Sequence, residues 1–275
     1  MRLPELSSQT DAKVIPLGLL TTTRYCWAGC AFCRLAIPLP HKPLSEAPAG
    51  LTWEQVQKSG VNFDQVAEVR IRGGLSLAEP FDYWIHFLRQ LRPNVPGRLI
   101  GFSPVEIWQY HLTERRTLRE LLRLLRWAGV DRLGPGGSET WDEERRQRWS
   151  PNRVTVAEWL SIAKAAHAVG LATTAAPMVM PGVSDMDWQG YLLPLQDLPP
   201  ALLELKPLQS DGTRLSRLGN AGILETTHAV SAIHDLAPHL PLYVRWETGD
   251  CHDAQEILGA AGADGLTLPV WEVAP

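Results

Sequence analysis

Apolar residues recur along the chain with two alternating rhythms. Short β-rich runs built from Val, Ile, Leu and Thr are each followed by a stretch in which apolar residues return every three or four positions. This alternation is the signature of βαβ units around a parallel sheet. Eight strands are predicted, at 13–22, 67–73, 97–103, 131–135, 171–179, 202–207, 242–248 and 265–270. Helices are predicted between them at 52–60, 81–92, 117–128, 156–169, 185–195, 223–236 and 254–262. In the third of these, Leu118, Leu121, Leu122 and Leu125 form one apolar stripe, while Arg119, Glu120 and Arg123 face away. Thr155 and Glu158 have the spacing of a capping box, and Gly170 stands where that helix should end.

Eight such units predict an α/β fold, a (β/α)8 or nearly closed TIM-type barrel. No linker or composition break interrupts it, so residues 1–275 are expected to form a single domain. Active sites of this architecture sit at the C-terminal ends of the strands, which makes each residue just after a strand a candidate.

Composition narrows the function classes. With 45% hydrophobic and 20% charged residues, 22 Gly and 22 Pro, the chain can bury a core, which excludes disorder, collagen and coiled coil. The net charge of -4 offers no basic footprint for nucleic acid, and no Lys/Arg-rich amphipathic stretch suits a membrane surface. No apolar run approaches about 18 residues. The opening MRLPELSSQTDAK carries two acidic residues and lacks an apolar region, so it is not read as a secretory signal and a cytoplasmic protein is expected. Eleven Trp are read as core and pocket walls, none given a role on composition alone.

Three of the four cysteines fall in one loop after the first strand, Cys26-Trp27-Ala28-Gly29-Cys30-Ala31-Phe32-Cys33. A disulfide framework does not suit a large chain without an export signal, and three clustered thiols leave one over. Structural zinc needs a fourth ligand; His41 lies eight residues on, but C-x3-C-x2-C is not the paired spacing of zinc ribbons. A 4Fe-4S cluster fits better, because three thiolates on a tight loop can hold three irons of a cubane and leave the fourth open to an exogenous ligand.

CWAGCAFC, with Phe32 before the third cysteine, resembles the signature of the radical S-adenosylmethionine (SAM) superfamily. The resemblance implies that SAM chelates the open iron through its amino and carboxylate groups, and that reduction cleaves SAM to methionine and a 5′-deoxyadenosyl radical. After strand two, Gly73-Gly74 resembles the paired-glycine motif whose backbone meets the SAM amino group; two glycines also suit an ordinary turn. GGLSL at 73–77, GFSPVEI at 101–107, GPGGSE at 134–139, the stretch from Arg145 to Met178, and 243–268 together resemble one branch. It contains aminofutalosine synthase, dehypoxanthine futalosine cyclase and the deazaflavin (FO) synthase subunits. The match is strongest from 97 to 178. Against that branch the chain is shorter at both ends, which raises the expectation of a partner completing the termini. Met180-Pro181-Gly182-Val183-Ser184-Asp185 replaces the family's glycine-plus-glutamate loop.

The resemblance implies metal ligation by Cys26, Cys30 and Cys33, and cofactor binding by Phe32, Gly73, Gly74, Ser103, Glu106, Glu139 and Met178. Glu106 and Glu139 would contact the ribose or amino end of SAM or orient substrate; the alternative is a carboxylate favoured at a helix N-terminus. Ser103 is a ligand donor or an N-cap. Arg72, Lys206, Arg245 and Glu247 are candidates for anchoring a substrate carboxylate or for salt bridges between barrel layers. Trp246 is an aromatic wall or a core residue. Cys251 is a thiol hydrogen donor or, by preference, an ordinary half-buried cysteine. His167, His228 and His234 are read as structural.

The expected function is a radical SAM enzyme acting on a small aromatic or nucleoside-like metabolite in menaquinone- or deazaflavin-type cofactor biosynthesis. It would form a carbon-carbon bond, cyclise, or abstract hydrogen, with Glu106, Glu139, Trp246 and Cys251 as catalytic candidates. A flavodoxin or ferredoxin would donate the electron. The alternatives are a radical SAM rearrangement, lyase or dehydrogenase on an amino acid or sugar, and a metal-binding barrel without catalysis.

Overall fold

A computed structural model describes residues 12–34, 37–38, 49–76, 78–181, 187–247 and 251–275. His41 and residues 182–186 lie outside them, as do Leu77 and residues 248–250. The chain runs through β1 (Lys13–Thr21), β2 (Tyr25–Cys26), β3 (Ile37–Pro38), α1 (Trp53–Ser59), β4 (Glu68–Arg72), α2 (Phe81–Leu91), β5 (Arg98–Ile100), α3 (Pro104–Glu114) and α4 (Leu118–Trp127). It continues through α5 (Glu143–Trp149), α6 (Val156–Ala168), β6 (Thr174–Ala175), β7 (Met178–Val179), α7 (Trp188–Leu192), β8 (Leu202–Pro207), α8 (Ile223–Leu236), β9 (Leu242–Arg245), α9 (Cys251–Ala260) and β10 (Gly265–Val273).

The main sheet is parallel throughout, in the order β5-β4-β1-β10-β9-β8-β6. Single bridges from Ile100 to Arg132 and from Arg132 to Ala172 join its two ends, so the expected barrel closes. Closure is thinnest where the fourth strand was expected at 131–135. That run contributes one bridging residue; Gly134 still donates its N–H to the Phe102 carbonyl at 3.0 Å, and the pairing stops at Pro135, which has no N–H to give. The fifth expected strand is broken in two for a similar reason. Ala176 donates to the Ser138 hydroxyl at 2.8 Å, and Pro177 interrupts the ladder.

Capping explains where the helices begin. Thr52, Ser103, Thr117 and Thr155 each accept from the N3 backbone while the N3 side chain of Gln55, Glu106, Glu120 or Glu158 returns the bond. Gly170, at φ 78°, follows the end of α6 as expected. Helices α3 and α5 are absent from the sequence expectation. In α3 the signals were present in Ser103, Pro104 and Glu106, a cap, a first-turn proline and a capping-box acid. In α5 the only apolar residue is Trp149 and the buried one is Arg146, so no apolar stripe marks the helix.

Helices and strands enclose an apolar layer that includes Phe81, Leu88, Leu99, Ile107 and Trp159, all fully buried. The barrel interior is different. Arg70 on β4 bonds Glu68 at 3.0 Å and Glu204 on β8 at 2.6 Å; Arg132 bonds both oxygens of Glu68 at 2.9 Å; Thr267 on β10 donates to Glu204 at 2.6 Å. Buried charges are tolerated only when paired and hydrogen-bonded. This ionic layer is the floor beneath the cavity.

Candidate functional site

The cysteine loop follows β1 at the C-terminal end of the barrel. Its backbone is held from three sides. Trp27 N–H donates to the Leu75 carbonyl at 3.3 Å, Ala31 N–H to Trp149 at 2.7 Å, and Arg214 N–H to the Ala31 carbonyl at 3.1 Å. The Arg214 guanidinium also donates to the Gly29 carbonyl, and Gly29 takes the left-handed conformation at φ 61°.

Cys26, Cys30 and Cys33 open on one cavity of about 320 Å³. All are free thiols, Cys26 buried and the other two half-buried. Phe32 stands between them in the wall. Gly73 and Gly74 form the adjoining wall, and their missing side chains have a structural cause. A Cβ on Gly73 would fall 1.9 Å from Thr22 Oγ1, and one on Gly74 would fall 2.1 Å from the Tyr25 carbonyl oxygen and 3.0 Å from Cys26 Cβ. The glycines let the loop after β4 press against the cysteine-bearing segment while their backbone faces the cavity.

Ser103, Glu106 and Glu139 line the same cavity. Glu106 Oε2 accepts from both the backbone N–H and the hydroxyl of Ser103 at 2.7 Å, so this pair caps α3 and lines the cavity at once. The helix N-terminus alternative given for Glu106 from the sequence describes this geometry, and the side chain also lines the cavity that the ligand reading needs. Burial pushes its carboxyl above the usual range, against the Ser103 hydrogen bonds and the charge of Arg153. Glu139 is driven the other way. Burial opposes its ionisation too, but Arg153, whose Nη1 is 2.8 Å from Oε1, and Lys206 outweigh it and hold the carboxyl below its ordinary value. One cavity thus keeps one carboxyl biased toward its protonated form and one ionised, the separation that lets two acids take different roles.

Arg153 was missed in the sequence reading. It is half-buried and bonded to Glu139, its guanidinium carbon lies 5.8 Å from the Phe32 ring centroid, and its charge opposes the effect of burial on the Cys30 thiol, which still rises to about 11. Nothing marks it among the four arginines of RRQRWSPNR until the fold places it. The paired floor was also missed, although Glu68, Arg70 and Arg72 alternate with apolar residues as one face of a strand should.

The remaining sequence candidates divide. Met178 is buried in the wall and donates its N–H to the Glu139 carbonyl at 2.9 Å. Trp246 is in the wall at 9% exposure. Arg72, Lys206, Arg245 and Glu247 line the cavity as well; Arg72 pairs with Glu272 at 2.9 Å and Arg245 with Glu247 at 2.8 Å. Cys251 is not brought to this wall, but begins α9, half-buried. His167 is 3.1 Å from the Thr173 hydroxyl.

The donor set suits a polynuclear iron–sulfur group. Thiolates are its natural ligands, and three free thiols share one cavity. Among the described residues no three His, Cys, Asp or Glu side chains gather closely enough to hold one metal ion. A cluster whose thiolates bind different irons does not require them to meet at a point. No helix among the described residues is long and apolar enough to cross a membrane.

Comparison with known proteins agrees with this geometry. The Radical SAM superfamily model matches residues 20–193. Aminodeoxyfutalosine synthase of Thermus thermophilus is 27% identical over 271 residues, covering 90% of this chain and 70% of that protein. Cyclic dehypoxanthine futalosine synthase of Halalkalibacterium halodurans is 28% identical over 158 residues, covering 57% of this chain; the chain spans only 42% of that relative's length. Among solved structures, methylornithine synthase superposes with a TM-score of 0.64 at 13% identity, over 92% of this chain and 71% of that one, a likeness of fold.

Proposed function

The chain belongs to the radical SAM superfamily and is an enzyme that uses a 4Fe-4S cluster and SAM, and from that premise we propose that it acts on a small aromatic or nucleoside-like metabolite in cofactor biosynthesis of the menaquinone or deazaflavin type. Cys26, Cys30 and Cys33 are the proposed cluster ligands. A 4Fe-4S cluster held by these thiolates would supply the electron for reductive cleavage of SAM to methionine and a 5′-deoxyadenosyl radical. The observation that carries the reading is the single cavity in which the three thiols meet Gly73, Gly74, Glu106 and Glu139.

The chain's own residues then have distinct work. Arg153, held by Glu139, presents a fixed cation beside Cys30 and Cys33 and suits the carboxylate of SAM. The backbone of Gly73 and Gly74 offers a surface without side chains to its amino end. Ser103 and Glu106 supply a hydroxyl and an acid, biased toward its protonated form, that suit a ribose. Met178 and Trp246 close the wall and exclude water, which protects a radical from side reactions.

The likeness to aminodeoxyfutalosine synthase supports carbon-carbon bond formation or cyclisation as the outcome. The enzyme requires a small-molecule substrate and a reductant; our reading supplies the electron from a flavodoxin or ferredoxin and treats residues 1–275 as one barrel domain. Free thiols without a disulfide among the described residues fit a reducing, cytoplasmic compartment.

The test is anaerobic reconstitution with iron and sulfide, followed by dithionite and SAM. About four irons and four sulfides per chain and release of 5′-deoxyadenosine are expected. Candidate precursors are then added, and an adenosyl adduct or a cyclised product supports the reaction class. A cluster-loaded protein that cleaves SAM yet modifies only an amino acid or sugar refutes it.

A further inference from the structure

Glu106 lines two cavities, of which the large one holds the thiols. A second, smaller cavity of about 20 Å³ adjoins it, walled by Thr22, Thr23, Ser76, Phe102 and Tyr110. Gly74, Leu75 and Glu106 are common to both, so the Glu106 side chain stands in the partition between them. Ala78 and Glu79, both half-buried, mark the end at which the small cavity nears solvent.

The polar groups of this small cavity are buried and only partly used. Thr22, Thr23 and Ser76 are each more than nine-tenths buried. Thr23 accepts from the Tyr25 N–H at 3.1 Å and Ser76 from the Ala78 N–H at 3.3 Å, yet neither hydroxyl donates to an acceptor among the described residues. The Thr22 hydroxyl makes no hydrogen bond among them. Glu106 takes both Ser103 bonds on Oε2, which leaves Oε1 without a donor. Tyr110 is already engaged, donating to the Glu79 carbonyl at 3.1 Å. A cavity of roughly 10–15 Å³ or more takes up a water when two to four polar partners surround it, whereas an apolar one stays dry. Three hydroxyl donors and one open carboxyl oxygen meet that requirement.

We propose that the small cavity holds one ordered water bonded to Glu106 Oε1 and to the hydroxyls of Thr22, Thr23 and Ser76, and that Glu106 passes protons between this water and a ligand in the large cavity. Once a cofactor and substrate fill the large cavity, water is excluded from that side. A proton that leaves the Glu106 carboxyl for the ligand is then replaced from the small cavity, whose water regains its own from solvent. Only O–H bonds to Glu106 and water break and re-form on this side, and the carboxyl returns to its starting charge. The groups that face Glu106 are Ser103 and Tyr110 of its own helix segment, Arg153 from the large cavity and Glu79 in the wall of the small one. Burial outweighs Arg153 and Ser103 and keeps the proton on the carboxyl above its ordinary range. The proton role rests on the radical SAM reading; the water site does not.

The experiment uses the cluster-reconstituted enzyme with SAM bound, kept anaerobic. A crystal structure should show a water within about 3.2 Å of Glu106 Oε1 and of at least two of the three hydroxyls; an empty cavity overturns the site. Infrared spectroscopy at about pH 5.5, above the ordinary carboxyl value, then follows the Glu106 carboxyl band, identified by its loss in Glu106→Gln, on transfer to deuterium oxide. SAM should slow exchange of that band by less than about two-fold in wild type and by about ten-fold or more in Thr22→Val with Ser76→Ala, the scale of one or two lost hydrogen bonds. Thr22→Ser keeps the hydroxyl and should exchange like wild type. A wild type sealed by SAM, a double variant that exchanges like wild type or is slowed equally without SAM, or the lack of a Glu106 band overturns the proton route. If the double variant does not fold, as judged by circular dichroism, Thr22→Val against Thr22→Ser decides. Water and exchange as expected in an enzyme that never cleaves SAM would sink the radical reading and leave the water site standing.

Discussion

Replacing Gly74 by Ala adds one methyl group at the point where two functional loops touch. The added Cβ would lie 2.1 Å from the Tyr25 carbonyl oxygen, 2.7 Å from its carbon and 3.0 Å from Cys26 Cβ. An ordinary contact begins near 3.4 Å, so the loops must part by about 1 Å, and the obstacle is backbone that cannot rotate aside. Overpacking of this kind costs roughly 1–3 kcal/mol, or a fall in Tm of about 2–9 °C for a chain of this size. The functional loss should be larger than the thermal one, because the displaced residue is a proposed cluster ligand and a 1 Å misplacement can cost about 100-fold in rate. The control is Gly60→Ala. Gly60 has φ 68° and nothing within 4 Å of the added methyl, and it precedes β4 at the end of the barrel away from the cysteine loop, so it bears a backbone cost of about 1–2 kcal/mol. Iron per chain after reconstitution, 5′-deoxyadenosine yield and apo-protein Tm are measured on both. Expected are comparable falls in Tm, with iron and SAM cleavage lost only in Gly74→Ala. Full iron loading and wild-type cleavage in Gly74→Ala would refute the close-approach argument.

Three further outcomes are expected. Ala at Cys26, Cys30 or Cys33 removes most of the iron and all SAM cleavage, whereas Cys251→Ala keeps cluster absorbance; equal iron loss in all four would overturn the ligand assignment. Arg153→Ala leaves Glu139 buried without its cation, which costs about 3–5 kcal/mol; the double change Arg153→Met with Glu139→Gln should restore Tm but leave SAM binding at least about ten-fold weaker, and restored SAM affinity would show that Arg153 acts only through folding. Burial resists ionisation of Glu204, but Arg70 and Arg245 bring its carboxyl down to about 2 from an ordinary 4.5. A depressed folded value contributes stability that is full above about pH 4.5 and lost as the pH falls toward 2, on the order of a few kcal/mol; Tm measured against pH should flatten over that window in Glu204→Gln, and an unchanged slope would remove Glu204 from the account.

The two carboxylates of the cavity show how far residue type alone can be read. Glu106 follows Ser103 by three positions, and that spacing already contained the capping box that fixes its geometry. Its companion Glu139 sits in GPGGSE, where nothing local sets its charge state. Arg153, fourteen residues on by sequence number, and Lys206, delivered from β8, outweigh burial and lower its value. Cys251 marks the opposite limit. Its position after strand seven suggested the barrel mouth, yet it begins α9 and is not brought to the cavity wall.

What the sequence determined by itself is whatever depends on period and local chemistry. The alternation of strand and helix, the capping residues at Thr155 and Thr117, and C-x3-C-x2-C after the first strand are local patterns, and they were enough to indicate a parallel barrel and a thiolate-bound cluster. What the tertiary structure decided is every relation between strands. It reduced the fourth strand to a bridge at Arg132, joined Glu68, Arg70, Arg132 and Glu204 into a floor, and brought Arg153 to Glu139 across the cavity wall. The reason is physical. A hydrogen-bond cap is satisfied within one turn of chain, whereas a buried charge is stable only beside a partner that the barrel brings from a distant strand.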